Sequence, residues 1–168
     1  MKPPKEDYQP YYEYYLNLVK QEDLLAALAN SEKEVVDIIK QIPAEKAEYS
    51  YAINKWDIKQ VLNHIIDTER ILCYRALRFA RGDSQLVASF DENLYASNSI
   101  LSKTDLAMLC EEFVAVRKAS ILFYFQLSEK ELNLKGKTAA GEVSVLAIGF
   151  MICGHALHHM KVIKERYL

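Results

Sequence analysis

A chain of 168 residues, 51% of them hydrophobic, has the length of one ordinary domain and enough apolar side chains for a real core, which excludes a disordered chain. Its 21 Lys plus Arg against 23 Asp plus Glu leave a formal charge of -2, which argues against a nucleic-acid binder working through a basic surface. The longest apolar run, Val145 to Met160, is short for a membrane span, and Met1 to Tyr15 lacks the charged-then-apolar layout of a signal peptide. The expectation is a single cytoplasmic domain over residues 1–168 with no membrane partner. Cys73, Cys110 and Cys153 are odd in number, widely spaced and set in apolar stretches, the pattern of reduced core residues rather than a disulfide framework.

Taken in chain order, helical signals dominate and strand signals are nearly absent. Pro3, Pro4 and Pro10 mark an extended start over residues 1–10, and Tyr11 to Val19 reads as a short aromatic-rich helix. Asp23 is placed to cap a helix from Leu24 to Ile42, where Leu24, Leu28, Val35, Ile38, Ile39 and Ile42 recur at helical spacing until Pro43 stops it. After a polar loop from Ala44 to Lys55, Asp57 caps a second helix over Ile58 to Ala80 with a broad apolar face, closed by Gly82-Asp83. Gly82 to Lys103 is a long connection with a turn of helix near Asp91 to Ser97, and Thr104 caps a third helix over Asp105 to Leu127. A second polar stretch, Ser128 to Gly141, leads to a last helix over Glu142 to Tyr167, apolar almost all round between Val145 and Cys153 and therefore buried on several sides. Four long helices with loops of these lengths make the fold all-α, a four-helix bundle, either simply antiparallel or with one longer crossover connection.

Three of the four histidines cluster in Gly154-His155-Ala156-Leu157-His158-His159-Met160, and the fourth, His64, lies early in the second helix. On a helix, His155 and His159 project from one face a turn apart, so both rings reach a single ion, and a third ligand from His64 would make a three-histidine site. His158 is a rival ligand through its i+3 spacing from His155. The Glu of the metalloprotease helix motif is absent, with Ala156, Leu157 and His158 standing between the pair. In a simple up-down bundle the second and fourth helices run parallel, which separates His64 from the cluster. The spacing therefore requires a crossover topology, or the site does not exist.

The run from Lys55-Trp56-Asp57 through Leu62-Asn63-His64-Ile65-Ile66-Asp67-Thr68-Glu69-Arg70, with Tyr74-Arg75-Ala76-Leu77-Arg78, Ala80-Arg81-Gly82-Asp83, Phe90-Asp91-Glu92, Ala115-Val116-Arg117 and His155-Ala156-Leu157-His158-His159, resembles the DinB/YfiT-like family of metalloenzymes. The resemblance spans the chain from Tyr11 onward. It implies a bundle with a crossover and a metal triad at His64, His155 and His159, holding a divalent ion such as nickel, zinc or iron. It also implies a metal-dependent enzyme acting on a small molecule, as a thiol S-transferase using a low-molecular-weight thiol or as a hydrolase. The alternative is a non-catalytic metal-binding or structural bundle that acts through a partner. Asp57 stands where relatives carry Ser or Thr, and Ala156 where they often carry Asp.

Other residues have competing readings. Asp67 and Glu69 are near enough in sequence to His64 to serve as acid or base, but suit helix-surface ion pairs as well. Arg75, Arg78 and Arg117 suit an anionic substrate, or inter-helix salt bridges with Asp67, Glu69 or Asp91. Tyr8, Tyr11, Tyr12, Tyr14 and Tyr15 are expected to pack the first helix over the bundle or into a homodimer interface, pairing being a common way for such bundles to cover apolar surface.

Overall fold

Short polar side chains start each of the four long helices. Asp23 caps the N-terminus of helix α2 (Leu24–Ile39), its carboxylate accepting from the Ala26 amide at 2.9 Å. Asp57 and Gln60 form a reciprocal capping box at α3 (Ile58–Ala80). Asp105 accepts from the Met108 amide at 2.8 Å to start α5 (Leu106–Phe125), and Ser144 accepts from the Ala147 amide at 3.0 Å to start α7 (Val145–Arg166). Three shorter helices complete the set: α1 (Glu13–Leu18), α4 (Glu92–Asn98), which Asp91 caps, and α6 (Glu129–Leu132). The computed structural model describes residues 1–168.

Of the boundaries that differ from the sequence expectation, three have a local cause. The cap of α5 is Asp105 rather than Thr104, because Asp105 holds the extended backbone from which a carboxylate reaches the first turn. Helix α2 ends at Ile39, short of Ile42, in turns that precede Pro43. The last helix begins at Val145, because residues before it pair as a β-hairpin of β1 (Lys135–Thr138) and β2 (Gly141–Ser144), with Gly136 opposite Val143. Gly141, at φ +124, closes its turn in a conformation that disfavours any other residue. The hairpin is joined to the connection after α3 by a bond from the Val87 amide to the Lys137 carbonyl at 3.0 Å.

Packing gives the helices the ring order α2, α7, α3, α5, with α2 and α3 on one diagonal. One core cluster joins Leu24 and Leu28 of α2, Leu72 and Phe79 of α3, Tyr124 of α5 and Ile148 of α7; the other joins Val35 and Ile38, Val61 and Ile65, Leu109 and Phe113, and Met160 and Ile163. The start of α3 thus lies beside the end of α7, and the start of α5 beside the start of α3. Adjacent helices α3 and α5 are parallel, α3 and α7 antiparallel. The segment 81–105, which carries α4 against α3, is the crossover that returns the chain to the same end of the bundle. Helix α7 is long and apolar enough to cross a membrane by length and composition, and most of its apolar stretch is buried in this bundle.

Two features tie the elements together. Arg117 of α5 is fully buried and forks onto Glu69 of α3, with Nε to Oε1 and Nη2 to Oε2 both at 2.8 Å. Its Nη1 donates to the Leu28 carbonyl at 3.0 Å and to Ser31 Oγ at 2.6 Å on α2, while Ser120 Oγ donates to Glu69 Oε1 at 2.7 Å. Three helices meet on one charge pair, and no buried side-chain polar atom is left without a partner. At Gly154 on α7 the absence of a Cβ lets the backbone of α1 come close, since a methyl group there would collide with the Tyr15 carbonyl.

Removing one member of a buried ion pair strands the other, so Arg117→Met is expected to lower unfolding free energy by about 3–5 kcal/mol. Urea denaturation checks this, and a loss below about 1 kcal/mol would show that the pair does not join the helices. Gly154→Ala should lower the melting temperature although Ala is the better helix former by about 1 kcal/mol; a rise would mean that α1 does not depend on this close approach.

Candidate metal centre

His64 lies in the second turn of α3, while His155 and His159 lie on successive turns of α7. The antiparallel packing of these helices turns all three rings toward one point. His64 Nε2 is 3.0 Å from His155 Nε2, His159 Nε2 is 3.1 Å from His155 Nε2, and the three ligand atoms all fall within 4.8 Å of one another. His158 stands apart from this convergence, its Nδ1 facing the Tyr14 hydroxyl at 3.3 Å and its ring edge-on to Tyr15. The ring of His64 packs against Trp56 with centroids 4.8 Å apart, and Thr68 Oγ1 lies 3.5 Å from its Nδ1.

Burial disfavours the charged form of these rings. It brings His64 down to about 4, with Glu92 acting weakly the other way, and His159 down to about 3 with His64 and His158 adding to the effect. Burial, then His159 and His64, hold His155 well below the usual imidazole value. All three are therefore neutral at pH 7, and each presents on Nε2 either one proton or one lone pair. A single Nε2 of His155 cannot make good hydrogen bonds to two other ring nitrogens at once. A cation would satisfy all three, since nitrogens about 3 Å apart are close enough to share one ion at metal–nitrogen distances of ~2.0–2.1 Å. The donor set and the spacing fit a divalent ion.

Beside the rings is a cavity of about 340 Å³. Its base follows α3 through His64, Thr68, Leu72 and Arg75 and α7 through Met151, His155 and His159. Tyr11, Tyr12 and Tyr15 cover it from the N-terminal segment, and Phe90 and Glu92 from the crossover. The tyrosines thus contribute to the site as well as packing the first helix against the bundle.

Of the charged residues weighed from sequence, Glu69 and Arg117 are locked together in the core, Asp67 bonds Asn63 and Arg70, and Arg78 pairs with Asp83. None of these four faces the cavity, whereas Arg75 does. Sequence reasoning missed Trp56, Thr68, Phe90 and Glu92. Thr68 was readable from its helical spacing after His64; Trp56, Phe90 and Glu92 come from the segments before and after α3, which helical spacing does not place.

The model of the DinB superfamily matches residues 27–163. A protein of Oceanobacillus iheyensis, provisionally named a metal-dependent hydrolase, is 25% identical over 133 residues, covering 76% of this chain and 74% of its own. Among solved structures, YfiT from Bacillus subtilis, described as a probable metal-dependent hydrolase with an unusual four-helix bundle topology, superimposes with a TM-score of 0.74 at 13% identity, over 98% of this chain and 90% of that one. The match of the family model to residues 27–163 places this chain in the DinB superfamily, and its bundle has the YfiT fold.

Proposed function

We propose that His64, His155 and His159 hold one divalent metal ion and that the protein is a metal-dependent enzyme, a hydrolase in the first instance. The observation that carries this reading is the convergence of three neutral imidazole nitrogens at the wall of a cavity large enough for a small molecule. The names of its relatives support it. When bound, an ion with three protein nitrogens keeps a coordination position for water, a thiol or substrate and supplies Lewis-acid activation there. Nickel, zinc and iron all accept such ligands.

The chain's own residues prepare that chemistry. With its proton on Nδ1, His64 donates toward Thr68 Oγ1 and turns the Nε2 lone pair to the centre. Trp56 and Tyr15 flank His64 and His155, with ring centroids 4.8 Å and 6.0 Å apart. Glu92 is the carboxylate on the cavity wall, and in this reading it is the candidate to take a proton. No cysteine lines the cavity, so an S-transfer reaction at this site requires its thiol from a substrate.

Elemental analysis of the purified protein is expected to find about one divalent ion per chain, lost in His64→Ala, His155→Ala and His159→Ala and kept in His158→Ala. Retention in all three ligand variants would remove the proposal. Turnover of thiol and electrophile without hydrolysis would move the assignment to S-transfer, and metal binding with neither reaction to a structural bundle.

The histidines also make the metal-free protein sensitive to acid. The folded value of His64, about 4, lies below the value of about 6.5 expected on unfolding, so the unfolded chain binds the proton first. Stability is full above about pH 6.5 and declines as pH falls toward 4. Urea midpoints at pH 7 and pH 5 should differ more for the metal-free wild type than for metal-free His64→Ala; equal differences would contradict the buried, neutral state of this ring.

A further inference from the structure

Resting on the reading of the histidines as a reaction centre, the geometry points to Arg75 as the anchor for an anionic group on the substrate. We propose that the cavity takes a small molecule with a carboxylate or similar anion at one end, an apolar body, and its reacting group at the histidines.

The stripe of α3 that carries His64 continues through Thr68 and Leu72 to Arg75, about three helical turns and roughly 16 Å further along the axis. The cavity therefore has two polar ends joined by an apolar middle of Leu72, Met151 and Phe90. Arg70, Arg78, Arg81 and Arg117 each pair with a carboxylate, but Arg75 forms no ion pair. Its guanidinium gives one bond, from Nη2 to the Ala88 carbonyl at 2.8 Å, and lies 6.0 Å from the Phe90 ring centre. That bond and the ring contact hold the fork in place and leave further N–H donors for a ligand. Burial pulls its pKa below the ordinary guanidinium value, with Tyr12 acting the other way, which is the condition of a half-buried cation that lacks an anion. Glu92, the carboxylate of the cavity wall, forms no salt bridge with Arg75 and is near enough to His64 to act on its charge, so Arg75 is left without an anion. A ligand bound lengthwise is oriented by this polarity.

The test uses the zinc-loaded full chain and isothermal titration calorimetry with phenylacetate, 3-phenylpropanoate, 4-phenylbutanoate and 5-phenylpentanoate beside the matching neutral alcohols. At least one acid is expected to bind about tenfold or more tightly than its alcohol, the increment of a charge-assisted hydrogen bond. Arg75→Gln, which keeps a donor for the Ala88 carbonyl, should remove that preference and leave the alcohol unchanged, while Arg75→Lys restores part of it. Zinc content, measured in parallel, should be the same in all three proteins. No acid preferred over its alcohol in the wild type, or the same preference in Arg75→Gln, overturns the proposal; an acid preference in both proteins that chelation abolishes would place the anion on the metal instead. If the wild type holds no zinc, the metal reading fails while an Arg75-dependent preference for the acid still stands.

Discussion

Helices α3 and α7 run antiparallel, and the convergence of His64, His155 and His159 depends on that. His64 is close to the beginning of one helix, and His155 and His159 are in the second half of the other. Parallel helices would set them apart along the bundle axis. The chain reaches the required arrangement by spending residues 81–105 on a crossover, so that α5 starts again beside the start of α3 and α7 returns against it. The same crossover delivers Phe90 and Glu92 to the cavity wall. A connection that long in a bundle thus serves topology and site together.

The arrangement costs a great deal of desolvation, which the core supplies in two ways. Helix α7 is buried on most sides, and the apolar residues before His155 exclude water from the rings that follow them. Exclusion of water keeps the imidazoles neutral, the state in which a nitrogen can ligate an ion. The buried Arg117–Glu69 pair is the second device. Its bonds to Leu28 and Ser31 leave little freedom in how α2, α3 and α5 approach one another, which specifies an alignment that apolar contacts alone define loosely.

Much of this was legible in the sequence where local chemistry decides the outcome. Asp23 and Asp57 cap the helices they were expected to cap, and α3 runs from Ile58 to Ala80 as its apolar stripe implies. The i,i+4 pair of His155 and His159 needed only helical periodicity. Where two neighbours were equally suited, as with Thr104 and Asp105, the backbone conformation chose. The hairpin was missed because four-residue strands containing Gly136 and Gly141 hold too few alternations to read. The meeting of His64 with the cluster depended on topology, which the residues left open and the family resemblance supplied. Arg75 and Arg117 look alike along the chain; that one is sealed against Glu69 and the other opens on a cavity is decided by tertiary packing.

The central claim is that three imidazoles from two antiparallel helices bind one ion. X-ray absorption spectroscopy of the protein loaded with one equivalent of zinc tests it most directly. The account expects about three imidazole nitrogens at ~2.0–2.1 Å with the remaining position filled by a light atom. A shell containing sulfur, or one with a single imidazole, would contradict it.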